Sequence, residues 1–157
     1  MKMPGSRIEL IFPPSATAPP APWDAPPGAV LSSDSLGLAL HFAPARWLLL
    51  GTAAALVDAA LQSGALAIDV EGKWTLIELT EPYARRALSA AVNVEAVLDG
   101  RDCAAATLFD CPAVIARRDG YAGYFVCVHA SYAFSFNLAL AAALGRCGES
   151  RPGPAQS

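Results

Sequence analysis

"DVEGKWTLIELTEPYARRAL", Asp69 to Leu88, decides how this chain is read. Glu71-Gly72 separates two strand-like runs, "ALAIDV" and "KWTLIEL", as a tight hairpin turn, with glycine where a positive φ is needed. In the second run, Trp74, Leu76 and Glu78 share one face and Thr75, Ile77 and Leu79 the other. Thr80 then stands where a side-chain oxygen caps a helix. Glu81 puts negative charge at a helix start, and Pro82 occupies the first turn, where a missing donor costs nothing. Ala84, Ala87, Leu88 and Ala91 follow on one side, with Arg85, Arg86 and Ser89 mostly on the other. Each residue has a structural use, so the stretch reads as a joint between sheet and helix rather than a site.

The same pattern extends in both directions. "LGLALHF" and "RWLLLG" read as strands about Pro44, which turns or bulges the chain. "TAAALVDAALQSG" is a helix capped by Thr52, with Leu56, Val57, Ala60 and Leu61 on its apolar face and Gly64 as its stop. "NVEAVLDGRD" reads as a loop. "CAAATLF", "AVIARR" and "YFVCVH" read as strands, with Asp119-Gly120 turning between the last two. "SYAFSFNLALAAALG" closes the domain as a helix capped by Ser131 and stopped by Gly145. Its Tyr132, Phe134, Phe136, Leu138, Leu140 and Leu144 do not fit one stripe, which predicts burial on several sides, some of it against a partner. Strand pairs alternating with helices predict an α+β fold of mostly antiparallel strands with packed helices.

These elements occupy residues 35–146 of a 157-residue chain. Before them, residues 1–34 form a proline-rich arm, "PPSATAPPAPWDAPPG", that proline keeps extended or mobile; "RIELIF" within it could add a short strand. Two readings of its aromatics stand open. They are incidental to a disordered tail, or the arm lies across a partner with Trp23 as the anchor. Residues 147–157 are a polar, disordered tail.

Composition limits function. Hydrophobic residues are 54% and charged residues 16%, against roughly 25% charged in an average domain. Abundant alanine explains part of this; a surface covered by another protein would explain the rest. A net charge of −3 without a basic run argues against nucleic acid. The longest apolar run, Trp47 to Val57, is too short to span a bilayer, and Glu9, Pro13 and Pro14 break any signal-peptide core. A cytoplasmic protein is expected.

Chemistry-bearing residues are sparse. The four cysteines form no C-x-x-C pair and the two histidines are far apart, so no metal site is expected. Cys103 and Cys127 fall in apolar strands as small hydrophobes. Asp69 and Glu71 flank a turn, a solvated edge. His129 fills a strand–helix junction, and His41 sits within an apolar strand. Neither a phosphate loop nor a nucleophile elbow occurs.

Six short pieces in order carry a resemblance: Trp47-Leu48-Leu49-Leu50, Asp69-Val70, "LTEPYAR" (Leu79–Arg85), "GRDCAAAT" (Gly100–Thr107), "AVIARR" (Ala113–Arg118) and "YFVCVHASYA" (Tyr124–Ala133). Together the chain from Arg46 to Leu144 resembles the gamma subunit of heterotetrameric sarcosine oxidase. It departs from that family at Glu81, where glycine is usual, at Ala90-Ala91, at Ala130 in place of arginine, and at Phe136-Asn137, where tryptophans are common. The chain therefore looks like a divergent member.

That family is similar in fold to the folate-binding domain of the glycine-cleavage T-protein, whose key aspartate lies in an Asn-Asp pair. Asn93-Val94 stands there in this chain, with Glu95 one place on, and valine moves no proton. The resemblance thus implies an accessory, non-catalytic subunit without a cofactor of its own. FAD, FMN, NAD and tetrahydrofolate are expected on partner subunits: an alpha subunit in contact with this chain, and through it beta and delta subunits. Trp23, Tyr132, Phe134 and Phe136 are the expected interface. The alternative is a free-standing folate-binding, one-carbon-transfer protein of the T-protein type.

Overall fold

The computed structural model describes residues 7–14, 18–33, 37–117 and 123–148, the last stretch with side chains to Gly145. Its strands are β1 (Arg7–Ile11), β2 (Val30–Ser33), β3 (Gly37–Ala43), β4 (Arg46–Leu50), β5 (Leu66–Asp69), β6 (Trp74–Thr80), β7 (Cys103–Leu108), β8 (Cys111–Arg117) and β9 (Gly123–His129). Its helices are α1 (Ala54–Gln62), α2 (Tyr83–Ser89), α3 (Val94–Leu98) and α4 (Ala133–Gly148). The described strands form two antiparallel sheets, ordered β2-β3-β4-β1-β5 and β6-β9-β8-β7. The α+β class expected from the sequence is the class observed.

The sheets stack face to face, with helices on both outer faces. Alternate residues along one strand serve different cores. Leu38, Leu40, Leu48 and Leu50 of the first sheet meet Val114, Ala116, Phe125 and Cys127 of the second. Their neighbours Ala39, Trp47 and Leu49 face outward onto Val57 and Ala60 of α1. Tyr124, Val126 and Val128 face outward onto Ala84, Leu88, Phe136 and Leu140 of α2 and α4. Strands covered on both faces are apolar throughout, which is why "RWLLL" and "YFVCV" lack polar alternation.

The opening stretch turns out differently from a hairpin. Its turn exists, with Lys73 N–H donating to Val70 O at 2.9 Å and Gly72 at φ +79°. However, β5 pairs with β1 and β6 pairs with β9, so the turn is the corner at which the chain passes from one sheet to the other. Turn chemistry is the same in both cases; the partner is chosen by long-range pairing. The two faces assigned to β6 hold, with Trp74 and Leu76 between the sheets and Ile77 and Leu79 toward the helices. Thr80 caps nothing, because it is the last rung of the β6–β9 ladder, opposite Gly123. Pro82 is the N-cap residue of α2, behind a cis peptide bond from Glu81.

The proline-rich segment is no detached arm. β1 lies inside the first sheet, paired on both sides. Trp23 is buried, its ring edge-on to Trp47 at 5.3 Å and its Nε1 donating to Leu56 O at 3.3 Å. Prolines lack the donors for a ladder, but they do not prevent the residues between them from packing. Gly28 fastens the segment: its N–H donates to His41 O at 2.7 Å, and its carbonyl accepts from Asp102 and Cys103 at 3.0 and 2.9 Å. It sits at φ +92°, and a Cβ there would come within 2.7 Å of the Arg101 side chain. Only glycine suits both conditions.

Helix boundaries differ from expectation in three places. α1 starts after Ala53, which takes the N-cap position expected of Thr52, and Thr52 is buried one place earlier; Leu61 is exposed. "NVEAVL" is a short helix, with Ala96 N–H donating to Asn93 Oδ1 at 3.2 Å and Asp99 ending it at φ +49°. Five helical residues are too few to show a period. Ser131 lies within a 3-10 turn, Ala130–Tyr132, and α4 continues through Gly145 to Gly148. The expected boundary near residue 35, the Asp119-Gly120 turn and the tail beyond residue 148 lie outside the described residues.

Candidate interaction surface

α4 packs along one stripe only. Phe136, Leu140 and Ala143, spaced i, i+4 and i+7, are buried against α2, the second sheet and Phe109, whose ring meets Phe136 edge-on at 5.6 Å. Beyond that stripe, several large apolar side chains of the helix and of the turn before it stay uncovered. Phe134 is 77% exposed, Leu138 58% and Tyr132 41%. Phe134 and Leu138 are one turn apart and share a face. On the neighbouring α2, Tyr83 is also exposed, and it lines a cleft of about 370 Å³ with Leu144, Leu79 and Ala87.

The expected interface residues therefore separate. Trp23 and Phe136 are used inside this chain, which corrects their expected place at a partner contact. Tyr132 and Phe134 stand at the surface, and within this chain α4 is buried along a single stripe. Leu138 and Tyr83 join the exposed set. Leu138 was visible in the sequence as a misfit to one stripe; Tyr83, first residue of a short helix, carried no such signal.

The polar groups are mostly tied up. Glu95 accepts from Arg117 Nη2 at 2.7 Å and lies 3.7 Å from Arg85 and 3.4 Å from the Tyr124 hydroxyl. The Arg117 hydrogen bond chiefly holds its carboxyl below the usual range, so it is a weak base. Val94, the second residue of the Asn93-Val94 pair, is buried. Asp69 accepts from Glu71 N–H at 2.8 Å, so its carboxylate serves the turn it flanks. His129 is exposed beside Trp74, ring centres 5.2 Å apart. Glu9 is buried on β1 and ion-paired with Arg46, whose Nε donates to it at 2.8 Å.

Cys103 and Cys127 lie between the sheets, where burial pushes both thiols up to about 12. Among the described residues, no three His, Cys, Asp or Glu side chains are grouped to hold a metal ion. No described helix is long and apolar enough to cross a membrane.

No protein-family profile and no curated protein matches the sequence. Among solved structures, a chain of the heterotetrameric sarcosine oxidase from Corynebacterium sp. U-96, in complex with pyrrole 2-carboxylate, superposes with a TM-score of 0.68. The fold is shared. The alignment covers 90% of this chain and 80% of that one at 17% identity. Such identity speaks to architecture, and that architecture is the double sheet with helices described above.

Proposed function

We propose that this chain is an accessory, non-catalytic, gamma-type subunit of a flavin-dependent sarcosine oxidase or a related N-methyl amino acid dehydrogenase complex. The observation that carries the reading is the uncovered apolar face of α4, Phe134 and Leu138, with Tyr132 of the preceding 3-10 turn, on a fold shared with a chain of such a complex. An aromatic patch of this kind serves as the centre of a protein interface. The near-equal coverage of the two aligned chains supports a small subunit. The partner seated on α4 is the alpha subunit, which links this chain to beta and delta subunits in the cytoplasm. FAD, FMN, NAD and tetrahydrofolate belong to those partners, and this chain contributes surface rather than chemistry.

The test is a pull-down of the tagged chain from its native cell, with mass spectrometry of the partners and an absorption spectrum of the eluate. Flavoprotein subunits with a flavin spectrum are expected, and Phe134→Ser should release them. A lone chain without flavin overturns the reading; folate binding by that lone chain would favour the T-protein-type alternative instead.

A further inference from the structure

The uncovered face of α4 is graded in side-chain size. Phe134, Leu138, Ala141 and Gly145 follow one another at steps of four, three and four residues, and all are exposed. Alternating steps of this kind keep one line of residues facing a neighbouring helix, as in the seam between two packed helices. The line is large at its N-terminal end and small at its C-terminal end. It lies opposite the buried stripe of Phe136, Leu140 and Ala143, so a neighbour can reach it without disturbing the core.

Such a line fits an antiparallel copy of itself. About a dyad at its middle, Phe134 of one chain meets Gly145 of the other and Leu138 meets Ala141, each large side chain over a small one. A Cβ on Gly145 would meet nothing within 4 Å, so the place above it is open. Beside this end of the helix, Leu144 and Tyr83 line the cleft of about 370 Å³, which widens the seat for an incoming ring. A parallel copy would set Phe134 on Phe134 and leave a gap at the glycine end, against the close packing of stable interfaces. No Asp, Glu, Lys or Arg occurs from Ala133 to Gly145, so two copies bring no like charges together along this line.

We propose that, before it joins a complex, this chain pairs with a second copy of itself through antiparallel α4 helices, Phe134 over Gly145 and Leu138 over Ala141. The pairing rests on the reading of α4 as the assembly face in one respect: the second copy covers the face that the partner subunit later takes. Burial of Phe134 and Leu138 supplies the attraction, and the small residues opposite them let the two helices approach closely.

The test is sedimentation equilibrium of the purified full chain over a concentration series. A monomer–dimer equilibrium is expected. Gly145→Phe should weaken the dimer about tenfold although it adds apolar surface, and Phe134→Ala should do likewise. The double variant, Phe134→Ala with Gly145→Phe, should return to within about threefold of the wild-type affinity, because the dyad again sets large on small. Should Gly145→Phe fail to fold, benzoylphenylalanine at position 134 decides: in mixed nitrogen-14 and nitrogen-15 chains, it should cross-link to the peptide around Gly145 of the other copy. A monomer at every concentration, open-ended aggregation, tighter association of Gly145→Phe, no rescue in the double variant, or cross-links elsewhere would each overturn the proposal. The flavoprotein pull-down is read separately. Flavoproteins captured by a chain that stays monomeric would overturn the pairing alone; a dimer that captures none would support the pairing and overturn the assembly reading.

Discussion

Phe134 and Phe136 stand two residues apart on α4 and face opposite ways, the first 77% exposed and the second fully buried against Phe109. Two steps along a helix rotate a side chain by about 200°. The pair therefore separates the two uses of apolar surface in this protein, stability and association. Phe136→Ala should destabilise the fold by about 3–5 kcal/mol, as a large core ring lost to a cavity. Phe134→Ser should change stability by less than about 0.5 kcal/mol while reducing self-association and partner capture. Urea unfolding and light scattering on both variants separate the two effects.

Trp23→Ala tests whether the proline-rich segment is structural. The ring is buried on Trp47 and packs beside Val57 and Ala60 of α1. A loss of about 3–5 kcal/mol is expected, and deleting residues 1–28 should prevent folding, because β1 leaves with them. A truncated chain with native circular dichroism and an unchanged urea midpoint would return the segment to the status of an appendage.

Gly145 reports on where α4 ends. It lies within the helix, and a Cβ there meets nothing within 4 Å. Gly145→Ala should stabilise the protein by up to about 1 kcal/mol. A helix that stopped at this glycine in a left-handed conformation would lose stability instead. Thermal denaturation of the single variant distinguishes the signs.

His41 sets a pH dependence. Its folded pKa lies below the ordinary 6.5, so the unfolded chain takes up the proton first as pH falls. Its neutral form costs nothing above pH 6.5, and stability declines as pH drops from there toward the lower folded value. A melting series from pH 7.5 to 5.5 should show wild type losing ground against His41→Phe on the acid side. Parallel curves for the two proteins would contradict this.

Cys103 and Cys127 should resist iodoacetamide at pH 8 in the native protein, because their thiols, pushed up to about 12, hold almost no thiolate there. Both should react after unfolding. Mass spectrometry of peptides alkylated before and after urea treatment reads this directly.

What the sequence by itself determined was whatever depends on near neighbours. The period of two placed Trp74 and Leu76 on one face of β6 and Ile77 and Leu79 on the other. The helical period buried Ala84, Ala87 and Leu88 and left Arg85 and Arg86 outside. The apolar misfits of α4 were also legible, since Phe134 and Leu138 could not share a stripe with Phe136 and Leu140. Only the tertiary structure decided which strand meets which. The Glu71-Gly72 turn has the same local chemistry as a hairpin or as a corner, and the pairing of β5 with β1 made it a corner. Likewise, Trp23 is an anchor or a core residue according to whether Trp47 and Leu56, tens of residues away, come to meet it. Pairing and burial of that kind arise from contacts between distant parts of the chain, and no periodicity within a short window encodes them.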